Sequence, residues 1–163
     1  MPEYEFRLAR PADLAQLQAI RRAAFAPVFE SFRSLLGDEI YDLTQRRGDE
    51  AQEGLLTSLM TPDANKALYV VHLGELIVGF VAVLFDHETH VGEIGLNAVD
   101  PAHAGQGIGT EMYEFALTLM RQANMKVATV SASGDPSHAP ARRAYQKAGF
   151  DAVISSVWMC RKI

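Results

Sequence analysis

The stretch NAVDPAHAGQGIGTEMYEFA, residues 97–116, places Gly105, Gly107 and Gly109 after an apolar run and before a helical pattern. Glycine has no Cβ, so it allows tight turns and lets a ligand approach the backbone closely. Backbone N–H groups in such a turn attract phosphate, and the dipole of the following helix adds to that attraction. Alternating glycines at this place therefore favour an anion-binding turn between a strand and a helix over a turn with a purely structural role.

Two common phosphate-binding motifs do not fit this stretch. A dinucleotide-binding loop needs the spacing G-x-G-x-x-G, and counting from Gly105 brings Thr110, not glycine, to the third position. An NTP-binding loop needs a lysine directly before the serine or threonine, but Gly109 precedes Thr110. The turn therefore belongs to another class of phosphate site.

Strand and helix patterns alternate on both sides of the turn. Residues 67–86 contain two apolar, β-branched runs that predict a hairpin, and Asp13 is the predicted N-cap of the first helix. The alternation predicts an α/β domain with a mixed sheet and an antiparallel hairpin in its middle. The predicted order is strand 4–10, helix 10–25, helical segments within 26–61, strands 67–86 and 91–100, helix 110–124, strand 126–133, a short helix ending at Gly149 and a last strand 151–162.

Length, composition and charge limit the classes of function. A chain of 163 residues with 48% hydrophobic residues is predicted to form a single domain, residues 1–163. The 15 Lys and Arg against 20 Asp and Glu give a formal charge of −5, which disfavours binding to nucleic acid or to an anionic membrane. The longest apolar run, residues 76–85, is about half of what a membrane-spanning helix needs. Acidic residues near the amino terminus argue against an export signal, so we expect a cytoplasmic protein.

Cysteine is not expected to act as a nucleophile, and the histidines are not expected to bind a metal ion. Cys160 lies in an apolar stretch and is expected to be a buried thiol, not a nucleophile. In HETH, residues 87–90, the histidines are three positions apart, whereas the zinc motif H-E-x-x-H needs four on a helix. His72 and His103 are expected to be structural or surface residues. We therefore predict no metal site.

The glycine turn is similar to a known acyl-CoA-binding signature. VDPAHAGQGIGT, residues 99–110, resembles the R/Q-x-x-G-x-G/A sequence of the GNAT superfamily of N-acetyltransferases. The resemblance implies acetyl-CoA as co-substrate and a mixed, mostly antiparallel sheet flanked by helices on both faces. Ala104 departs from the pattern, and because backbone N–H groups hold most of the pyrophosphate, we expect weaker but not absent binding. The residues implied in cofactor binding are Ala104, Gly105, Gln106, Gly107, Ile108, Gly109 and Thr110.

A second motif follows at the spacing of the family. ARRAYQKAGF, residues 141–150, is similar to the family's A-x-x-x-Y-x-K-x-G-F helix. The resemblance implies that Tyr145 contacts the cofactor and is the general acid that protonates the departing thiolate; core packing is the alternative. Seven residues earlier the family usually has an asparagine that contacts the pantetheine arm of the cofactor. His138 stands there and can form comparable hydrogen bonds.

Acetyl transfer to an amine also needs a base and donors for the oxyanion. Glu93 is the candidate base, since its place resembles that of a strand glutamate in some family members, and a solvated carboxylate is the alternative. Strand alternation puts Glu93, Gly95 and Asn97 on one face. The resemblance also implies a bulge near residues 97–99 that frees the N–H groups of Ala98 and Val99. Other candidate bases lie in the preceding turn: Asp86, His87, Glu88 and His90.

The sequence also offers candidate residues for the pocket that binds the acceptor. The family builds this pocket from the region after the first helix, which here carries the aromatic residues Phe25, Phe29, Phe32 and Tyr41; all four could equally be core residues. Phe29 and Phe32 are the candidates from this region, together with Asn97 from the strand. Only residues 151–163 follow Phe150, enough for one strand. One wall of the acceptor cleft is therefore expected to be open or supplied by the second subunit of a homodimer.

The sequence thus predicts an N-acetyltransferase that moves an acetyl group directly from acetyl-CoA to an amine of a small molecule, an amino acid or a peptide. Two alternatives from other classes stay open. A non-catalytic acyl-CoA-binding or regulatory domain is consistent with Ala104 and would bind CoA without turnover. An interaction module that kept only the fold would show no effect of CoA on its stability.

Overall fold

Within residues 3–163, which the computed structural model describes, the sheet has five strands in the order of the sequence. Three neighbouring pairs are antiparallel, and the last pair is parallel. The strands are β1 Glu5–Leu8, β2 Lys66–Leu73, β3 Leu76–Asp86, β4 Val91–Val99 and β5 Val127–Val130. The predicted mixed, mostly antiparallel sheet with a hairpin at β2 and β3 is confirmed.

Helices cover both faces of the sheet, and the first is longer than predicted. It continues past Pro27 to Leu36, although Pro27 has no N–H to donate to the carbonyl of Ala23. Phe29 and Phe32 therefore lie within this helix and not after it. No helix among residues 3–163 is long and apolar enough to cross a membrane. The helices are α1 Leu14–Leu36, α2 Asp38–Thr44, α3 Arg46–Leu59, α4 Ile108–Gln122 and α5 Ala139–Lys147.

Each face of the sheet packs into its own apolar core. On one face, Met112 of α4 is buried together with Ile94 of β4, and α5 extends this core. On the opposite face, Leu17 of α1 is buried with Phe80 of β3, and α3 completes the layer. A fully buried large apolar side chain contributes roughly 1.5–3 kcal/mol. The two cores therefore hold the central strands from both sides.

β4 holds one residue more than the part of β3 with which it pairs. Val81 pairs with Asn97 and Val83 pairs with Ile94, so Gly95–Leu96 oppose a single residue of β3. Such a β-bulge reverses the alternation of side chains beyond it. The bulge lies just before the range in which it was predicted, and it decides which way the site residues of β4 point.

The last strand predicted for residues 151–162 is not formed. Residues 151–163 carry no helix or strand, and their side chains are exposed. The N–H of Phe150 still donates to the carbonyl of Tyr145, but the segment beyond it pairs with none of the five strands. A β-branched sequence forms a strand only where another strand offers its polar backbone groups. Cys160, predicted to be buried, is exposed for the same reason.

Asp13 occupies the N-cap position of α1, as predicted, but its carboxylate forms no capping hydrogen bond there. It accepts hydrogen bonds from the guanidinium of Arg7 at 2.7 and 2.9 Å and one from the backbone N–H of Arg10 at 2.7 Å. The hydrogen bond from Arg7 is the main cause that lowers the pKa of Asp13. Asp13 therefore ties the edge strand β1 to the start of α1.

Gly79 of β3 should not tolerate a side chain, because a Cβ there would stand 2.9 Å from the carbonyl oxygen of Ala98. Gly79→Ala should lower the free energy of unfolding by about 1–3 kcal/mol, since backbone atoms must move to make room. Gly54→Ala in α3 is the matched control. A Cβ at Gly54 meets nothing within 4 Å, and alanine in a helix is favoured by about 1 kcal/mol. Urea unfolding measures both variants, and equal stabilities would contradict the prediction.

Candidate active site

A cavity of about 910 Å³ connects the two faces of the sheet. β4 pairs with β5 only as far as Ile94 and Val130, but it continues beside β3 to Val99. The chain after β5 therefore leaves the end of β4 uncovered, and the gap between them forms the middle of the cavity. Most of the predicted site residues line it: Glu93, Asn97, Ala98, Val99, Ala104, Gly105, Gly107, Ile108, Gly109, Thr110, His138 and Tyr145.

The uncovered edge of β4 offers backbone donors, but they differ from those predicted. The Asp100 N–H donates to the Val78 carbonyl at 2.8 Å. Since hydrogen-bonded pairs alternate along an antiparallel ladder, the Ala98 N–H also points toward β3. The N–H groups of Asn97 and Val99 point the other way, into the gap. The sheet therefore uses the N–H of Ala98, contrary to the prediction, while the N–H of Asn97 faces the gap beside that of Val99.

The glycine turn leaves room for a ligand against the backbone. Gly105 and Gly107 have φ angles of 77° and 84°, and a Cβ at either position would meet nothing within 4 Å. The first hydrogen bond of α4 runs from the Glu111 N–H to the Gly107 carbonyl, so the N–H groups of residues 108–110 precede the helical bonds. Free donors at a helix N-terminus suit a phosphate group.

Two members of the predicted turn offer little through their side chains. The side chain of Gln106 does not line the cavity. The backbone carbonyl of Gln106 accepts a hydrogen bond from the Tyr4 hydroxyl at 3.3 Å. Ala104 does line the cavity, but it presents a methyl group where a longer polar side chain was the expected residue. The turn therefore relies on its backbone.

Asn97 joins two tyrosines in a hydrogen-bonded chain beside the cavity. Its Nδ2 donates to the Gly95 carbonyl at 2.9 Å and to Tyr145 Oη at 3.3 Å. The Gly95 carbonyl can only accept, so the amide nitrogen must face it. Tyr113 Oη donates to Asn97 Oδ1 at 3.0 Å, and burial, which raises the pKa of Tyr113, keeps that proton in place. Tyr145 Oη therefore accepts from Asn97, and the Tyr145 hydroxyl also lies beside that of Tyr113, whose pKa it helps to raise.

The bulge sends Glu93 and Asn97 to opposite faces of the sheet, whereas simple alternation places them together. Glu93 shares the face of Ala82, which packs in the core of α1 and α3. Asn97 is opposite Val81, which packs in the core of α4 and α5. The Glu93 carboxylate and the Tyr145 hydroxyl therefore reach the cavity from different sides of β4.

The alternative bases in the turn after β3 lie away from the cavity. None of residues 86–90 lines it. The Asp86 carboxylate accepts hydrogen bonds from the N–H groups of Thr89 and Glu88, and these bonds lower the pKa of Asp86. Within residues 3–163, no group of three or more His, Cys, Asp or Glu side chains is placed to hold a metal ion.

His138 belongs to a second polar cluster, at the start of α5. Its Nδ1 lies 2.6 Å from Asp135 Oδ1, and Asp135 also accepts hydrogen bonds from Ser137 and from Ser31 of α1. Burial alone would raise the pKa of Asp135, but hydrogen bonds from Ser137, His138 and Ser31 outweigh it and lower that pKa. A carboxylate on Nδ1 favours the tautomer in which Nε2 is an acceptor. The imidazole can therefore accept a hydrogen bond from a ligand.

Phe29 and Phe32 do not line the cavity, contrary to the prediction. Phe29 packs between Phe25 and Phe32, and the ring of Phe32 stacks on His138 with centroids 6.1 Å apart. The prediction ends the helix before Pro27, whereas the continued helix places residues 25, 28, 29 and 32 on one stripe, of which Phe25 and Val28 reach the cavity. Phe25, named among the aromatic side chains of this region, therefore does line the cavity. The sequence did not point to several other lining residues, among them Ala24, Pro27, Val28, Leu55, Leu59, Tyr113, Ser131, Arg143 and Lys147.

One protein family matches most of the chain. Residues 29–150 match the model of the Acetyltransferase (GNAT) family. The chain therefore belongs to this family, in agreement with the glycine turn and the helix that carries Tyr145. No curated protein matches the chain.

Three solved structures share the fold at low sequence identity. The PaiA N-acetyltransferase from Thermoplasma acidophilum, in complex with coenzyme A, is 13% identical with a TM-score of 0.74, covering 94% of this chain and 93% of that one. The ribosomal-protein-S18-alanine N-acetyltransferase from Escherichia coli is 14% identical with a TM-score of 0.67, covering 93% and 80%. An aminoglycoside acetyltransferase from an uncultured soil metagenomic sample, in complex with sisomicin, is 20% identical with a TM-score of 0.62, covering 98% and 96%. These identities establish the fold alone.

Gly107→Val should weaken the binding of coenzyme A by at least about tenfold, because the new side chain would occupy the space beside the backbone donors. Gly74→Val is the matched control. Gly74 also has a positive φ, 60°, and open space around it, but it lies in the β2–β3 turn outside the cavity. Calorimetry on the folded variants measures the affinity. Equal affinities for coenzyme A in both variants would remove the phosphate-binding assignment of the turn.

Proposed function

We propose that this protein is an N-acetyltransferase that transfers an acetyl group from acetyl-CoA directly to a primary amine of a small molecule, an amino acid or a peptide. The observation that carries the proposal is the single cavity through the gap between β4 and β5. It joins the donor turn at residues 105–109, the Tyr145 hydroxyl and the Glu93 carboxylate. Phosphate binding, proton donation and proton acceptance are what this reaction requires of a protein.

The cofactor end of the cavity fits acetyl-CoA, which when bound supplies the acetyl group as a thioester. The open space at Gly105 and Gly107 admits a phosphate group to the N–H groups of residues 108–110. The N–H groups of Asn97 and Val99 point into the gap and can stabilise negative charge on a carbonyl oxygen. The coenzyme A complex of a structural neighbour supports this assignment.

The amine end combines an apolar wall with one carboxylate. Phe25 and Val28 of α1 and Leu55 and Leu59 of α3 line the cavity on the face that carries Glu93. Glu93 attracts a protonated amine and accepts its proton, directly or through a water molecule. The apolar side chains bind the body of the acceptor. We therefore infer an acceptor in which a primary amine is attached to a partly apolar body.

Tyr145 holds the proton for the departing thiolate. Asn97, predicted to contact the acceptor, acts instead as a positioning residue, because its amide donates to Tyr145 Oη and is itself held by Tyr113. This arrangement leaves the Tyr145 proton pointing away from Asn97. Cys160, the sole cysteine, lies on the exposed tail outside the cavity, which supports transfer without a cysteine acyl intermediate.

A second candidate function is a non-catalytic acyl-CoA-binding or regulatory domain, and the methyl group of Ala104 favours it. Release of free thiol from acetyl-CoA, measured over a panel of amines, polyamines, amino acids and peptides, separates the two. Turnover with any of these acceptors supports the enzyme. Thermal stabilisation by CoA without turnover on the panel supports the regulatory domain. A protein that CoA does not stabilise would have kept only the fold.

The net charge and the exposed tail bear on the partners and the location of the protein. A net charge of −5 is the reason to propose no nucleic-acid or membrane partner, and a cytoplasmic location stays a prediction. The tail, residues 151–163, exposes apolar side chains, among them Ile154 at 98% and Trp158 at 57%. These side chains support a homodimer in which a second copy covers the tail, and sedimentation at several concentrations tests it.

Tyr145→Phe should lower kcat by about 10²–10⁴-fold and leave the affinity for acetyl-CoA nearly unchanged, because only the donated proton is lost. Tyr69→Phe is the matched control, since Tyr69 is a partly buried tyrosine of β2 outside the cavity. Steady-state kinetics at saturating acetyl-CoA, with a rate-limiting chemical step, provides the measurement. A parental rate for Tyr145→Phe would end the assignment of the acid. A loss of thermal stability without a loss of turnover would indicate a packing role.

Glu93→Gln keeps the size of the side chain but removes the base. The rate should fall mainly at pH values where the free acceptor amine is protonated and should partly recover as the pH rises. Glu88→Gln, in the turn outside the cavity, should keep the wild-type profile. The dependence of kcat/KM on pH is measured for both variants. An unchanged profile in Glu93→Gln would end the assignment of Glu93 as the base and leave the deprotonation to bulk water.

A further inference from the structure

The phosphate end of the cavity lacks the long polar side chain that its sequence motif leads one to expect. Ala104 stands where arginine or glutamine is usual and contributes only a methyl group. Backbone N–H groups of the turn carry partial charges, whereas a diphosphate carries full negative charges. The chain as a whole has a formal charge of −5, so its general field opposes such a ligand. A local source of positive charge is therefore required if a diphosphate is to bind well.

Helix α5 brings two cations to the cavity. Arg143 and Lys147 both line it, and their spacing of four residues places them on one side of the helix. α5 packs against the start of α4, where a Cβ on Gly109 would stand 3.8 Å from the Cβ of Ala144. The two cations are thus carried beside the helix terminus that offers the free N–H groups.

Neither Arg143 nor Lys147 forms an ion pair within the described residues. Within the described residues 3–163, no carboxylate lies within 4.0 Å of the side-chain nitrogens of Arg143 or Lys147. The neighbouring Arg142 behaves differently, since its guanidinium donates to the carbonyls of Ser133 and Asp135 and holds the loop before α5. Two unpaired cations in the cavity of an acidic protein indicate an anionic ligand.

We propose that Arg143 and Lys147 bind the diphosphate of the acyl-CoA co-substrate and supply from α5 the positive charge that Ala104 does not. This inference rests on the proposed function. Among the cavity-lining residues that the structure describes, these two are the Lys and Arg side chains and Glu93 is the only carboxylate. Positive and negative charge are therefore carried by different walls of the cavity, α5 and β4.

Calorimetric titration of coenzyme A into the double variant Arg143→Gln, Lys147→Gln tests the proposal. Arg143 and Lys147 are exposed side chains, and two exposed charge contacts are together worth at most about tenfold in affinity, so the Kd should rise by up to about that factor. The loss should shrink as the salt concentration rises, because salt screens the wild-type contacts. Arg121→Gln is the control. It removes one positive charge from the other end of α4, about 20 Å away along the helix, and should leave the Kd unchanged.

Two further titrations identify the phosphate group that the two cations bind and test whether they replace a charge missing at residue 104. Dephospho-CoA keeps the diphosphate but lacks the 3′-phosphate, so the double variant should lose the same factor with it as with coenzyme A. Adding Ala104→Arg to the double variant should recover part of the affinity. Wild-type affinity in the double variant, a loss confined to coenzyme A, or no recovery with Ala104→Arg would each overturn the proposal. A wild-type protein that binds no coenzyme A would overturn the proposed function as well.

Discussion

The extra residue in β4 is the constraint on which the site depends. Because the bulge at Gly95–Leu96 reverses the alternation, Glu93 and Asn97 reach the cavity from opposite sides of one strand. The register on either side of the bulge is held by burial: Ile94 is 2% exposed in one core and Ala98 is 6% exposed in the other. A slip of one residue would turn each of these apolar side chains to the wrong face. The two cores therefore protect the geometry of the site.

The end of pairing between β4 and β5 has an equally direct consequence. A strand that is hydrogen-bonded on both edges has no backbone group to offer a ligand. Beyond Ile94, β4 keeps β3 on one edge and faces the gap with the other, so the N–H groups of Asn97 and Val99 become available. The same gap lets one cavity take chemical groups from both layers of helices. Proposed donor and acceptor ends can meet there without either crossing the sheet.

Polar clusters fix the helices that form the walls of this cavity. Ser31 of α1 donates to Asp135 at 2.9 Å, and the neighbouring Phe32 stacks on His138. These contacts join the helix of the apolar wall to the start of α5, which also carries Tyr145. Hydrogen bonds to a charged carboxylate are among the stronger ones in proteins. The proposed acid and the proposed acceptor wall are therefore held in one frame.

Most of the local elements, and through them the family, follow from the order of the residues alone. The glycine spacing predicts the turn before α4, the alternating β-branched residues predict the hairpin, and the spacing around Tyr145 predicts its helix. These signals are local, because backbone freedom and side-chain periodicity act over a few residues.

Which of the candidate site residues lie together depends on how distant segments pack in the fold. The tertiary structure placed Glu93 and Asn97 on different faces, put Phe25 on the cavity wall in place of Phe29, and left residues 151–163 without a partner strand. The physical reason is the same in each case. Register, helix continuation past a proline and strand pairing depend on contacts between segments far apart in the chain, and in a strand one added residue turns every later side chain to the other side.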